Sequence, residues 1–219
     1  MSIMNSINAR VIGHVKIQDR NSGELLLDKE NAIHPKNMGI AIARGLANNT
    51  NGCVYKVWLG NGGTFQSGTG EITYLPPNIV GTGPAPTGSS LYNSTYSSVI
   101  DDQSTLVGIG NSVIHPAEED LNAAIFSTAV ITIVIAAGGI GLDGQALSDS
   151  PNPQTDPNFN PTLDPIPAGV TPKEFVFDEL GLFTSDDFLL SHLIFSPIEK
   201  TANRELLITY TLTIYVAGI

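Results

Sequence analysis

The chain has 219 residues, of which 42% are hydrophobic and 14% charged, and an excess of 21 acidic over 10 basic residues gives it a formal net charge of −11. This composition is typical of a folded globular chain, and its negative charge opposes contact with phosphate backbones or anionic lipid, so we expect neither nucleic acid nor a membrane as a partner. The single cysteine, Cys53, excludes an intrachain disulfide and a multi-cysteine zinc site, which favours assembly in a reducing cell interior.

Alternating apolar and polar residues predict a hairpin near the amino terminus. Residues 10–19 (RVIGHVKIQD) alternate cleanly, as in a half-buried strand. Residues 20–23 (RNSG) can form a turn with positive φ at Asn21 or Gly23, and residues 24–28 (ELLLD) predict the returning strand.

A helix is predicted next. Pro35 presets φ for its first turn, and Asn48 and Asn49 end the pattern. Between them, small and apolar residues recur at helical spacing: Met38, Ala41, Ile42, Gly45 and Leu46. Glycine costs about 1 kcal/mol relative to alanine inside a helix, so this helix needs a sheet to pack on.

The strand predicted at residues 54–59 (VYKVWL) carries the only tryptophan, Trp58, and runs into the glycine-rich sequence GNGGT at residues 60–64. A phosphate-binding loop also follows a strand, but the chain has neither GK[ST] nor GxGxxG, and no helical pattern follows this loop. A tight glycine turn is therefore the preferred interpretation.

Two stretches are rich in Gly, Pro, Ser, Thr or Asn and poor in periodic apolar residues: residues 66–90 and 143–172. We expect both to be extended arms of one domain that covers residues 1–219, because long loops inside a compact domain are usually functional arms or links.

Residues 121–142 contain no charge over about the 20 residues that a membrane span needs. Residues 129–135 nevertheless alternate and are β-branched, with Ile131, Ile133 and Ile135 on one face, and no basic residues flank the segment. A buried strand is therefore preferred over a transmembrane helix.

The carboxyl-terminal part is the most regular. Residues 173–184, 188–195 and 205–217 predict a three-stranded antiparallel meander, and in its last strand apolar residues such as Ile208 and Tyr210 alternate with threonines. We therefore expect a mainly β fold: an antiparallel β-sandwich, jelly-roll or Ig-like, with one helix and long Gly/Pro-rich loops.

The adjacent acids Asp178 and Glu179 interrupt an apolar run. A one-residue bulge there would place Phe175, Phe177, Leu180 and Leu182 together on the core face and leave the acids at a bend. A catalytic pair is disfavoured, because neighbouring side chains in an extended strand point to opposite faces.

Other residue patterns predict no catalytic, cofactor-binding or metal-ligating residue. The four histidines, His14, His34, His115 and His192, do not form a metal-ligand spacing, and we expect most of them to be structural, with His34 and His115 placed to cap backbone groups before proline. A metal site built from them would require the fold to bring them together. The sequence GNSVI at residues 110–114 lacks the second glycine of a nucleophile elbow. The remaining acidic groups match no calcium loop: Asp101, Asp102, Glu118, Glu119, Asp120, Asp186 and Asp187.

Residues 177–214 (FDELGLFTSDDFLLSHLIFSPIEKTANRELLITYTLTI) combine an acidic ELGLF strand, a hairpin, an apolar strand that ends in FSPIEK and a strand that alternates with threonine. Together with DKENAIHPKNM at residues 28–38, LGNGGT at 59–64 and LYNSTYSSVID at 91–101, this resembles the structural virion proteins of tailed bacteriophages. The resemblance covers the chain in patches and implies no catalytic residue.

We therefore expect a structural component of a tailed-phage virion, of the neck or collar, tail or baseplate, assembled in the host cytoplasm and without enzymatic activity or a cofactor. Its partners would be further copies of the chain and other virion proteins. Two alternatives stay open: a capsid decoration (cement) protein, and a carbohydrate-binding or hydrolytic module that acts on the host surface. Carbohydrate sites usually expose aromatic residues beside carboxylates, whereas Trp58 lies in an apolar strand.

Overall fold

The structure is a computed structural model that describes residues 7–66, 69–81, 83–85, 88–100, 113–116, 126–135, 174–201 and 203–218. It contains eleven strands, one α-helix and a short 3-10 helix, Thr50–Gly52. The α-helix, α1, spans Pro35–Leu46. The strands are β1 Ile7–Asp19, β2 Leu25–Ile33, β3 Lys56–Gly60, β4 Thr64–Gln66, β5 Ile72–Tyr74, β6 Ser94–Val99, β7 Val113–Pro116, β8 Phe126–Ile135, β9 Glu174–Phe183, β10 Leu189–Thr201 and β11 Leu206–Gly218.

Nine of the strands form one sheet in the order β6-β3-β9-β10-β2-β1-β11-β8-β7, in which every pairing is antiparallel. The strands β4 and β5 pair with each other in a separate hairpin. The expected mainly β fold with one helix is confirmed. The described residues form one large curled sheet, and the second layer of a β-sandwich stays a prediction.

The amino-terminal hairpin is confirmed. β1 pairs with β2, and the turn between them has its positive φ at Gly23, at 73°. The carboxylate of Asp19 accepts hydrogen bonds from the backbone N–H groups of Asn21 and Ser22 and from Arg204. These bonds, with the backbone bonds of Ser22 first, hold the pKa of Asp19 below its usual value.

The helix α1 is also confirmed within the predicted bounds. Its buried residues are Asn37, Met38 and Ala41, and it packs beside β10. Pro35 occupies the first turn, and His34 caps the helix because its Nδ1 atom accepts a hydrogen bond from the N–H of Asn37 at 3.2 Å. The expected capping role of His34 is thus confirmed.

The predicted carboxyl-terminal meander is wrong in one pairing. β9 and β10 form a hairpin as expected, but β10 has β2 as its other neighbour. β11 pairs instead with β1 over its whole length and with β8 on its other side. Alternation showed that β11 has one buried face, but it carries no information on which strand completes the hydrogen bonds.

The uncharged segment contains the strand that alternation predicted. β8 lies between β11 and β7, and Ile131, Ile133 and Ile135 are buried in the core. Within the described ranges, the structure has no helix of the length and hydropathy that crossing a membrane requires.

One apolar core joins distant parts of the sheet. Side chains from β1, β3, β8, β9, β10 and β11 belong to a single buried cluster, which also contains Met38 of α1. Within this core the hydroxyl of Tyr210 on β11 donates a hydrogen bond to Oγ of Ser191 on β10 at 2.6 Å. Because β2 and β1 separate these two strands in the sheet, the contact requires the sheet to curl around its core.

Candidate functional site: a buried acid–histidine cluster

The pairing between β9 and β10 is irregular at the two adjacent acids, Asp178 and Glu179. Glu179 pairs with Ile194 and Phe177 pairs with Ile198, so one residue of β9, Asp178, lies opposite three residues of β10. The prediction of a one-residue bulge in β9 is therefore wrong, because the extra residues lie in β10. They include Pro197, which has no N–H to give to a ladder and is tolerated at such a break.

The expected effect of the irregularity on the core is confirmed. Phe177, Leu180 and Leu182 belong to the same buried cluster, although their spacing breaks strict alternation. The side chain of Phe175, the fourth residue of the predicted face, lies outside the described part of the chain. Asp178 and Glu179, however, do not point to opposite faces, as the sequence argument assumed. Both carboxylates converge on the loop after β3, and both side chains are buried, at 2% and 0% exposure.

Asp178 holds one end of this loop. Its Oδ1 atom accepts a hydrogen bond from the N–H of Gly63 at 2.8 Å, and its Oδ2 atom accepts from the N–H of Thr64 at 2.9 Å and from the Thr64 hydroxyl. Burial raises the pKa of Asp178 to about 6, which the bonds from Thr64 and Gly63 oppose and the neighbouring charge of Glu179 reinforces.

Glu179 accepts four hydrogen bonds. Its Oε1 atom accepts from the N–H groups of Gly62, at 3.1 Å, and Asn93, at 2.7 Å. Its Oε2 atom accepts from the N–H of Tyr92 at 2.9 Å and from His192 at 3.0 Å. The carboxylate is therefore surrounded by donors, which is what a buried anion requires in place of water.

His192 lies on β10 and is completely buried. Its Nδ1 atom lies 2.9 Å from the backbone N of Asn78, which can only donate there, so Nδ1 is the acceptor and the ring proton sits on Nε2. The Nε2–H group then donates to Glu179. Asp178, Glu179 and His192 together are called the acid–histidine cluster below.

The glycine-rich loop after β3 is a turn, as preferred from the sequence. The anions that its backbone N–H groups bind are carboxylates of the same chain. The successive N–H groups of Gly62, Gly63 and Thr64 all point to the carboxylates of Asp178 and Glu179. Such a row of N–H groups is a typical anion-binding arrangement. Here two side chains of the same chain occupy it.

The cluster anchors residues 61–93, a segment called the strap below, described apart from residues 67–68, 82 and 86–87. Both ends of the strap meet at one atom, because Gly62 and Asn93 donate to the same oxygen of Glu179. Asn61 and Asn93 also bond to each other through their side chains. The strap is therefore closed at its base by Glu179.

A second buried histidine binds the middle of the strap. Since Nδ1 of His34 caps α1, its Nε2–H group is the donor to the carbonyl of Gly81 and to Oγ of Ser89, 3.0 Å away. Leu91 packs with Phe183 and Leu189 in a small apolar cluster, against which Trp58 also lies. Within the first expected arm, residues 66–90, Asn78, Gly81 and Ser89 are thus bound to His192 and His34, while other residues of the segment, such as Val80, are exposed.

The remaining predicted residues lie apart from the cluster. The Nε2 atom of His14 lies 2.7 Å from Oδ1 of Asp28 across the hairpin, and both side chains are about half exposed. Asp186 pairs with Arg44 of α1 at 2.9 Å, and Asp187 pairs with Lys56. Asp186 and Asp187 are therefore each paired with a basic side chain.

Several predictions fall partly or wholly on residues outside the described ranges. Among these are the second arm, residues 143–172, and the acids at 101–102 and 118–120. Residues 110–112 of the GNSVI sequence are outside them too, while Val113 and Ile114 begin β7, which also contains His115.

Trp58, expected in the core, is partly buried and packs against Phe183, with ring centroids 4.6 Å apart.

Among the described residues, no group of three or more His, Cys, Asp or Glu side chains could hold a metal ion. The arrangement of the acid–histidine cluster fits the binding of backbone N–H groups. The four hydrogen bonds that the Glu179 carboxylate accepts all come from donors of the same chain.

The partners of the acids could not be found from the sequence. The residues that donate to Glu179 and Asp178 are 86 to 117 positions away along the chain, except for His192. The sequence did contain one signal of the site. The pair of acids in an apolar strand supplies hydrogen-bond acceptors, and the glycine-rich loop supplies backbone N–H donors that fit them. Nothing in a linear pattern states that the two meet.

No known family model, curated protein or solved structure matches this chain.

Proposed function

We propose that the protein is a structural component of a tailed-phage virion that assembles with further copies or with neck, tail or baseplate proteins through its sheet edges. The observation that carries this proposal is the open sheet. β6 and β7 end the strand order in the part of the chain that the structure describes. An uncovered edge offers a row of backbone groups to a further strand, which folded proteins usually cover or block.

The contacts of the buried ionisable groups of the acid–histidine cluster also support a mechanical role. Asp178, Glu179 and His192 are buried and bind backbone groups of their own chain. A group that takes part in catalysis must reach a substrate, and these groups face the strap instead.

Exposed apolar side chains favour association as well. Leu46 at the end of α1 is 87% exposed and Val80 on the strap is 88% exposed. Val99, the last residue of the edge strand β6, is 47% exposed. A single exposed apolar residue is ordinary, but Val99 lies at an edge where a neighbouring strand would cover it.

The finer architecture belongs to this proposal. We infer that the curled sheet corresponds to the double layer of a β-sandwich, jelly-roll or Ig-like, in which β10 and β11 face each other. The hydrogen bond from Tyr210 to Ser191 supports this arrangement.

The mass of the purified protein as a function of concentration, measured by light scattering and native mass spectrometry, tests the proposal, with electron microscopy to look for rings. We expect a defined oligomer, or binding to purified particles. A chain that stays monomeric at all concentrations and binds no particle would refute the proposal. Retention of such a monomer on immobilised glycans would point to the carbohydrate-binding alternative.

A matched pair of variants tests the edge itself. Val99→Lys places a charge on the edge strand β6, whereas Tyr215→Lys changes an exposed apolar residue, 37% exposed, on β11 at a position that is paired on both sides. Because an edge lysine blocks strand addition, we expect the first variant alone to lower the assembled fraction. Equal assembly of both variants would exclude β6 as the contact.

A further inference from the structure

The large sheet has an open edge inside its strand order, where β2 meets β10. In the described part of the chain these two strands pair at two positions, Ile33 with Ser191 and Ala32 with His192. Farther along, β10 pairs with β9, and β2 pairs with β1. Within the described ranges, the side of β2 that faces away from β1 is therefore without a paired strand over residues 25–31.

The hydrogen-bond pattern shows which backbone groups of β2 face this edge. The N–H of His34 donates to the carbonyl of Leu190 at 2.9 Å, so His34 directs its backbone groups toward β10. Successive residues of an antiparallel strand direct these groups to alternate sides, so Ala32, Glu30 and Asp28 direct theirs the same way. Since β10 has separated from β2 at Glu30 and Asp28, these two residues offer their N–H and C=O groups to an additional strand.

The side chain of Lys29 lies on the inner face of this edge strand. Lys29 pairs across the hairpin with Val15, which is completely buried, and the side chains of cross-strand partners share a face. Its Nζ atom donates a hydrogen bond to the carbonyl oxygen of Ile194 on β10 at 3.0 Å. The ammonium group thus lies between the two strands at the place where they separate.

The charges on the outer face of β2 oppose pairing with a second copy. Asp28 and Glu30 lie on this face, opposite Lys16 and His14 of β1. In an antiparallel pair of two β2 strands centred on Lys29, Asp28 of each copy would lie opposite Glu30 of the other. Like charges directly opposite each other destabilise a sheet, so two copies do not fit together in this register.

We propose that Lys29 blocks the addition of a strand from a second copy of this chain at β2. A strand added along Asp28 and Glu30 would extend the inner face of the sheet and enclose the ammonium group of Lys29. Enclosing an ammonium group away from water costs free energy unless all its N–H groups are bonded, and inward-pointing charges on edge strands prevent edge-to-edge pairing in this way. The inference holds for any function, and under the proposed function it confines assembly to the other edges.

Two matched valine variants test the block. Lys29→Val and Lys16→Val each remove one positive charge and introduce the same β-branched residue, but Lys16 lies on β1, which is paired on both sides. We expect Lys29→Val to raise the association constant about tenfold or more in sedimentation velocity, because a strand can then cover the edge without enclosing a charge. Lys16→Val should associate like the wild type. Equal association of the two variants would overturn the proposal.

Residue-resolved hydrogen exchange locates the contact. In the wild type, the amides of Lys29 and Asn31 face β1 and should be protected, whereas those of Asp28 and Glu30 should exchange about tenfold faster or more. In the oligomers of Lys29→Val, the amides of Asp28 and Glu30 should gain protection. Protection of these two amides in the wild type would show that the edge is already covered and would refute the block. Association of Lys29→Val without their protection would place the contact elsewhere and refute it as well.

Two further variants separate the charge from stability. Lys29→Arg keeps the charge and should associate no more than the wild type, whereas Lys29→Met keeps the apolar stem without the charge and should associate as Lys29→Val does. Urea denaturation at low protein concentration checks that each variant is folded, and if Lys29→Val does not fold, Lys29→Met decides. An arginine variant that associates as strongly as the methionine variant would overturn the role of the charge.

The wild type and the variants test different claims. The oligomeric state of the wild type tests the proposed virion role, whereas the difference between Lys29→Val and Lys16→Val tests the block. A monomeric wild type would therefore refute the virion role and leave the block to be decided by the variants. A failed block leaves the virion role untouched.

Discussion

The Nε2 atom of His192 lies 3.0 Å from Oε2 of Glu179, and both side chains are completely buried. Breaking a buried pair by removing one partner usually destabilises a fold strongly, because the other partner is left without compensation. In this protein the pair also determines where the strap is attached, since Tyr92 and Asn93 donate to the same carboxylate.

We expect Glu179→Gln to lower the free energy of unfolding by about 2 to 4 kcal/mol. The new amide NH₂ group would face N–H donors where the carboxylate now accepts. Urea denaturation measures the change. Glu199→Gln, on the exposed side of β10, is the matched control and should change stability by no more than about 0.5 kcal/mol. Similar small effects of both substitutions would contradict a structural role for Glu179.

The pH dependence of stability should contain a contribution from Asp178. Burial raises the pKa of this carboxyl from 3.8 to about 6, so the folded chain holds the proton more tightly than the unfolded chain. The stabilisation from this proton is fully present below the unfolded value and is lost as the pH rises through about 6.

Asp178→Asn cannot titrate and should lack this contribution. The difference in unfolding free energy between wild type and variant should therefore change by about 1 to 3 kcal/mol between about pH 4 and about pH 7, in the direction of a relatively less stable wild type at the higher pH. Urea melts across that range measure it. Parallel pH profiles would show that Asp178 has the same pKa in both states.

Glycine at position 60 is required by close packing. A Cβ atom there would lie 2.2 Å from the carbonyl oxygen of Asn93 and 2.5 Å from Oε1 of Glu179. We expect Gly60→Ala to lower stability by about 2 kcal/mol or more in thermal unfolding. Gly39→Ala on α1 is the opposite case, since nothing lies within 4 Å of its Cβ position. It should raise stability by about 0.5 to 1 kcal/mol, and equal effects of both changes would contradict the packing argument.

The curl of the sheet can be tested with Tyr210 and Ser191, whose hydroxyl groups are joined at 2.6 Å inside the core. We expect Tyr210→Phe and Ser191→Ala each to lower the unfolding free energy by about 1 kcal/mol. The double variant should lose less than the sum, with a coupling of about 0.5 to 1 kcal/mol. Strict additivity in this double-mutant cycle would mean that β10 and β11 do not meet across the core.

The sequence by itself determined much of the regular structure, since it predicted the helix and seven of the eleven described strands but not β4, β5, β6 or β7. Alternation defined β1, β8 and β11, helical spacing defined α1, and the sequence RNSG at residues 20–23 marked the turn of the first hairpin. These features follow from residues close together in the chain, because the side-chain periods of strands and helices are local geometric properties. The resemblance to virion proteins also came from the residues alone, and it stays a prediction.

Only the tertiary structure decided the partners. β11 lies beside β1 and β8, and the extra residues of the irregular pairing lie in β10, whereas the sequence predicted them in β9. Asp178 and Glu179 contact the glycine-rich loop. Pairing and burial are set by contacts between residues far apart in the chain, which a linear pattern does not encode. An acid pair that seemed to mark a bend is therefore a buried anchor, because most of the donors that stabilise it lie 86 to 117 positions away along the chain.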